Sequence, residues 1–160
     1  MLRIIEKVMP KSLLVKIYKG IPISLSLKKK IIWHANRRFL VAIQGIILND
    51  KGEILLLKHT YRDAPWGMPG GWMNYEQPQE GLEREVFEET SLRIKSEQIL
   101  DVSYGNKPHR VDIYIKGIFT GGEFKKSAEV SDYGFYKIGE WPDGMPDKQK
   151  RIIENICKKP

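Results

Sequence analysis

Apolar and polar positions change their period several times along the 160-residue chain, and each change marks an element. Leu13, Leu14, Ile17, Tyr18 and Ile21 recur at helical spacing, with Lys11, Lys16 and Lys19 elsewhere on the wheel, until Pro22 ends the pattern. Ile23-Ser24-Leu25-Ser26-Leu27 then alternates as a short strand does, ahead of Lys28-Lys29-Lys30. From Phe39 to Leu48 the run is almost continuously apolar. Asn49-Asp50-Lys51-Gly52 reads as a turn, and Ile54 to Leu57 as the returning strand of a hairpin. Ala64 to Gly71 reads as a Pro/Gly-rich loop, followed by a helix from Pro78 to Thr90. Strands are expected near Ile94–Tyr104, Arg110–Phe119 and Tyr133–Ile138. A last helix is expected from Pro146 to Lys158, with Ile152, Ile153 and Ile156 turned inward. Strands interleaved with helices predict a single α/β or α+β domain, with residues 1–38 as an extension and 39–160 as the domain proper.

Charge sharpens that division. The net charge is +7, yet residues 1–38 hold ten Lys/Arg against one acid, Glu6, and the remaining 122 residues are slightly acidic. An argument from basic charge toward nucleic acid or a membrane surface therefore belongs to the first segment alone. Its patterned apolar residues favour a covering role over an electrostatic arm. No apolar run reaches the 18 residues of a spanning helix. The lysines at 7, 11 and 16 interrupt any signal-peptide core, and the single Cys157 asks for no oxidising compartment, so the expected address is the cytoplasm.

Chemistry concentrates between Gly70 and Glu89. On the predicted helix Glu85, Glu88 and Glu89 stand at i, i+3 and i+4, so their carboxylates share one face. Like charges at that spacing cost about 0.2–0.5 kcal/mol per pair in an isolated helix. A hard divalent cation reverses the sign of that repulsion, and Mg²⁺ accepts carboxylate oxygens while leaving other positions to phosphates and water. Glycines just before the helix let backbone come close to the same place. The combination points to chemistry at phosphorus.

The spacing is wider than the acidic face alone. Gly70-x5-Glu76-x7-Arg84-Glu85-Val86-x-Glu88-Glu89-x-x-Leu92 resembles the Nudix box, and Trp66-Gly67-Met68-Pro69-Gly70-Gly71 is similar to the family's lead-in. At average residue usage the six polar and glycine matches coincide less than about once in ten million start positions. One position departs: the box glycine that ends the helix is Ser91 here, and a serine in a left-handed cap costs about 1 kcal/mol.

The resemblance implies an α/β/α sandwich with a mixed sheet and a catalytic loop and helix. It implies a hydrolase that cleaves a phosphoanhydride in a nucleoside diphosphate linked to another group, of nucleotide, ADP-ribose or nucleotide-sugar type, with Mg²⁺ or Mn²⁺ as cofactor. Gly70 (through its carbonyl), Glu85, Glu88 and Glu89 are the implied metal ligands, and Glu85 the group that activates water. Glu76 and Arg84 are implied to pair and hold loop to helix. Glu129 is preferred over Glu123 as a last acid outside the box. A binding module for RNA or a nucleotide, or an enzyme acting on RNA 5′ ends, is the alternative, and the complete acidic set argues for the enzyme.

Other residues carry weaker signals. Arg62 lies before the glycine-rich loop and is a candidate phosphate contact, with an ordinary surface arginine as the commoner outcome. Trp66 and Trp72 are the aromatic side chains nearest that loop, as suited to packing it as to stacking on a base. His34, His59 and His109 are too scattered for a zinc site.

Overall fold

The computed structural model describes residues 12, 16, 19, 20 and 24–158, the side chains of Ile31 and Ala35 excepted. The chain forms two compact units, Met1–Arg38 and Phe39–Pro160. In the first, Ser12, Lys16, Lys19 and Gly20 are helical. The apolar positions expected at helical spacing there (Leu13, Leu14, Ile17, Tyr18, Ile21) lie outside the described residues. The strand expected at 23–27 is not formed. Instead α1 runs Leu25–Ala35, and the Ser24 hydroxyl accepts the Leu27 N–H at 3.3 Å as its N-cap. A serine cap satisfies an orphan amide locally, whereas a five-residue alternation finds no partner strand among the described residues of this unit.

In the second unit a mixed sheet carries the strands β1 (Leu40–Leu48), β2 (Ile54–His59), β3 (Trp66–Gly67), β4 (Gly70–Trp72), β5 (Arg93–Asn106), β6 (His109–Gly121) and β7 (Val130–Tyr136). Their order is β3-β2-β1-β6-β5, with β4 also on β1 and β7 on β2. The β1–β6 pair is parallel and the others are antiparallel. Helix α2 (Pro78–Thr90) and helix α3 (Asp147–Cys157) cover opposite faces. Leu82 and Val86 of α2 pack on Ile43, Ile47, Leu55 and Leu57, while Ile153 and Ile156 of α3 pack on Ile46, Ile54 and Leu56. Burial on both faces explains why Ile54–Leu57 is an unbroken apolar run rather than an alternating one.

The expected hairpin, both helices and the three later strands are present. The Ala64–Gly71 loop is the exception, because it contains β3 and the start of β4. Strands this short have no readable periodicity; they form because β1 and β2 offer unpaired edges beside them.

Candidate active site

Helix α2 is built to end where its acids are needed. Pro78 opens its first turn, and the Glu80 carboxylate accepts the Gln77 N–H at 3.3 Å. Ser91 closes it in the left-handed region (φ 60°, ψ 6°), where its N–H reaches the Phe87 carbonyl at 2.8 Å. Among the described residues Ser91 is the non-glycine held at positive φ. The serine thus adopts the glycine's geometry and bears its steric cost.

Arg84 organises the loop against the helix. Its Nε and Nη2 donate to both Glu76 oxygens, at 3.1 and 2.7 Å, as the sequence pairing anticipated. The same guanidinium also meets Glu88 at 2.9 Å and Glu85 at 3.0 Å, so one cation spans three acids. Glu76 is held below the usual carboxylate range by the Arg84 hydrogen bond. Glu85 is pushed up, first by burial and then by the charges of Glu88 and Glu129, against the opposing pull of Arg84.

Glu89 is the most constrained of the set. It is 9% exposed, and its Oε2 is buried without a hydrogen-bond partner. Burial, followed by the charges of Glu85 and Glu129, raises its pKa to about 7, while Arg62 pulls the other way. Glu129, exposed on the loop before β7, therefore lies within electrostatic reach of both Glu85 and Glu89. Its backbone carbonyl is anchored by the Thr60 N–H at 2.9 Å.

The two glycines of β4 form the wall beside these acids. A Cβ on Gly71 would sit 2.3 Å from Glu85 Oε2, and one on Gly70 (φ 148°) would sit 2.1 Å from the Ile43 carbonyl oxygen. Only glycine permits this approach of strand to carboxylate. Across the strip a cavity of about 270 Å³ opens, with Gln44, Arg62, Trp72, Arg110, Asp112 and Gln149 in its lining. Arg62 is half-buried there, beside Gly67, rather than splayed on the surface.

Three polar groups in this region were missed by the sequence reading. Asp112 is 1% exposed and accepts Arg110 Nε–H at 2.7 Å. An acid inside the apolar run Val111-Asp112-Ile113-Tyr114-Ile115 was the available signal. Gln149 of α3 accepts the Met68 N–H at 2.8 Å, fastening the helix to the glycine-rich segment. His59 is buried with neither ring nitrogen partnered, and burial followed by the nearby Arg62 charge lowers its pKa to about 4.

Among the described residues no three His, Cys, Asp or Glu side chains converge tightly enough to encircle an ion. Glu85 and Glu88 are instead paired with Arg84. The donor set still suits a hard divalent cation: all its atoms are oxygens, and the buried Glu89 Oε2 has no hydrogen-bond partner.

Comparison with known proteins agrees with this geometry. A MutT-like protein of Streptomyces ambofaciens is 26% identical over 108 residues, covering 67% of this chain and 70% of that protein. The crystal structure of a UDP-X diphosphatase superposes with a TM-score of 0.68 at 22% identity, over 92% of this chain and 76% of that one. An ADP-ribose pyrophosphatase from Streptococcus suis superposes with a TM-score of 0.63 at 22% identity, over 76% and 94%. The family model described as the NUDIX domain matches residues 38–156. On the box in α2, the glycine strip beside it and a match over most of its length, the chain belongs to the NUDIX domain family.

Proposed function

We propose that this protein hydrolyses a phosphoanhydride in a nucleoside diphosphate linked to a second group. The observation that carries the reading is Glu89: a nearly buried carboxylate, missing a partner for one oxygen and surrounded by further acids. A fold gains nothing from such a group unless a cation completes it. Gly70, Glu85, Glu88, Glu89 and Glu129 are the residues that would hold a divalent ion, Mg²⁺ or Mn²⁺. When bound, such an ion neutralises developing charge on phosphate oxygens and makes water a better nucleophile at neutral pH.

The chain's own residues do the rest. Water attacks one phosphorus, the bridging P–O bond breaks, and two phosphate-bearing products leave. Glu85, whose pKa is already raised, takes the proton that water sheds. Glu76 neither binds nor reacts: with Arg84 it keeps the loop at a fixed height over the helix. Arg62 meets the non-reacting phosphate from the cavity side.

The test is a panel of ADP-ribose and ADP-, GDP- and UDP-sugars, with Mg²⁺ or with chelator, resolved by chromatography. Two phosphorylated products that vanish with chelator are expected. Glu88→Gln or Glu89→Gln should lower turnover at least about 10²-fold with the fold intact. An inert panel in Mg²⁺ and Mn²⁺, or near-normal turnover by either variant, would refute the reading.

A further inference from the structure

Strand register assembles a row of side chains that no single stretch of sequence contains. Ala42 of β1 pairs with Trp72 of β4 on one side and with Asp112 of β6 on the other. Residues directly opposite across neighbouring strands share a face, so indole, methyl and carboxylate stand in line. With strands about 4.8 Å apart, Trp72 and Asp112 are separated by about 9–10 Å over a floor that holds only a methyl group. One row along, Gln44 stands between Gly70 and Tyr114, again with nothing projecting from the β4 side. All of these except Tyr114 line the 270 Å³ cavity. The result is a slot with an aromatic wall, a flat floor and an acid on the far side.

The acid is set for recognition. Asp112 Oδ1 accepts the Arg110 guanidinium, which supplies the counter-charge that a buried carboxylate needs. Among the described residues no side chain donates to its second oxygen. Asp112 is 1% exposed and lines the cavity, so the cavity is the side from which a ligand reaches its carboxylate. An ion pair kept for stability alone gains little over apolar residues of the same volume. Half of the Trp72 surface is exposed, which leaves its ring free for a planar partner.

We propose that this slot reads the base of the nucleotide, and that Asp112 makes it selective for guanine. A carboxylate offers acceptors only. Guanine presents two adjacent donors, the N1–H and the N2 amino group, which Asp112 can accept through its second oxygen and the lone pair that Oδ1 keeps beside the Arg110 bond. Adenine and cytosine place a ring-nitrogen acceptor beside their single amino group, and uracil flanks its one N–H with two carbonyls, so each sets a lone pair against Asp112. The Gln44 amide is the neighbouring donor for the guanine O6. By strand alternation the slot lies on the α3 face of the sheet and Glu85 on the α2 face beside Gly71, so a diphosphate joining them rounds the short strand β4, where Gly70 and Gly71 carry no side chain.

The inference rests on the proposed hydrolase reading, so the experiment measures binding separately from turnover. Calorimetry in Mg²⁺ compares GMP, IMP (which lacks the N2 amino group), AMP, UMP and 2′-deoxy-GMP on the full chain. GMP and 2′-deoxy-GMP should bind alike, and both about 10- to 100-fold tighter than the other three. Asp112→Asn should bring GMP down to the IMP level and leave AMP unchanged, whereas Trp72→Leu should weaken all five together. The wild-type panel needs no variant, so a poorly folded Asp112→Asn does not shield the idea. Equal affinity across the bases overturns it. So does a loss specific to 2′-deoxy-GMP, which would mean that Asp112 holds the ribose. A variant that changes only melting temperature, with GMP affinity intact, would make the pair structural and likewise overturn it. Hydrolysis without base preference would sink this inference and spare the hydrolase reading; guanine-selective binding without hydrolysis would do the reverse.

Discussion

Glu89→Gln gives the most discriminating measurement on the protein without metal. A carboxyl whose pKa rises from 4.5 to about 7 on folding destabilises the fold once ionised. The penalty is absent below the unfolded value, grows through the interval up to 7, and is complete above it. Its full size is about 3 kcal/mol, from 1.36 kcal/mol per tenfold change in proton affinity. Glutamine stays neutral, so in chelator at pH 8 the variant should be more stable than the parent by up to about 3 kcal/mol. For a domain of this size that is about 6–12 °C in Tm. At pH 4, where the parent is also neutral at this position, the two should melt together. Adding Mg²⁺ at pH 8 should raise the parent's Tm and leave the variant's almost unmoved. Denaturant melts at four pH values between 4 and 8 provide the assay. A difference that does not grow with pH, or a variant equally destabilised throughout, would refute the claim that burial and the neighbouring acids penalise the charged form of Glu89.

Further expectations follow from the same geometry. Ser91→Gly should raise Tm by about 2–4 °C, because a left-handed cap costs serine about 1 kcal/mol, and a fall would show that the hydroxyl has a compensating role. Gly71→Ala, whose methyl would collide with Glu85, should cut kcat at least about 10-fold, and unchanged kinetics would place Glu85 outside the chemistry. His59 works in the opposite sense to Glu89. Its lowered pKa means that stability is lost as pH falls from 6.5 toward 4, up to about 3 kcal/mol. His59→Leu should remove that acid-side loss, measured as the difference in unfolding free energy between pH 7 and pH 4; an unchanged pH dependence would exclude His59 as its source.

The acidic face of α2 was readable from the letters alone, because positions i, i+3 and i+4 are neighbours through local helix geometry and no tertiary contact has to be known. The Glu76–Arg84 pairing was readable from the family spacing, but the reach of Arg84 to Glu85 and Glu88 was not, since a long guanidinium chooses among acids only once loop and helix are docked. Glu129 entered from resemblance, and the structure brings it near Glu85 and Glu89 through the Thr60 anchor, a contact 69 residues apart in sequence. The α1 helix went unforeseen because five alternating residues fit a strand as well as a helix start, and the Ser24 cap decided between them. Alternation along β1, β4 and β6 does say which residues share a face within each strand. It says nothing of which strand lies alongside which, or in what register. The row Trp72–Ala42–Asp112 joins positions 30 and 70 residues from its centre, and only backbone pairing across three strands could set a buried acid opposite an aromatic wall.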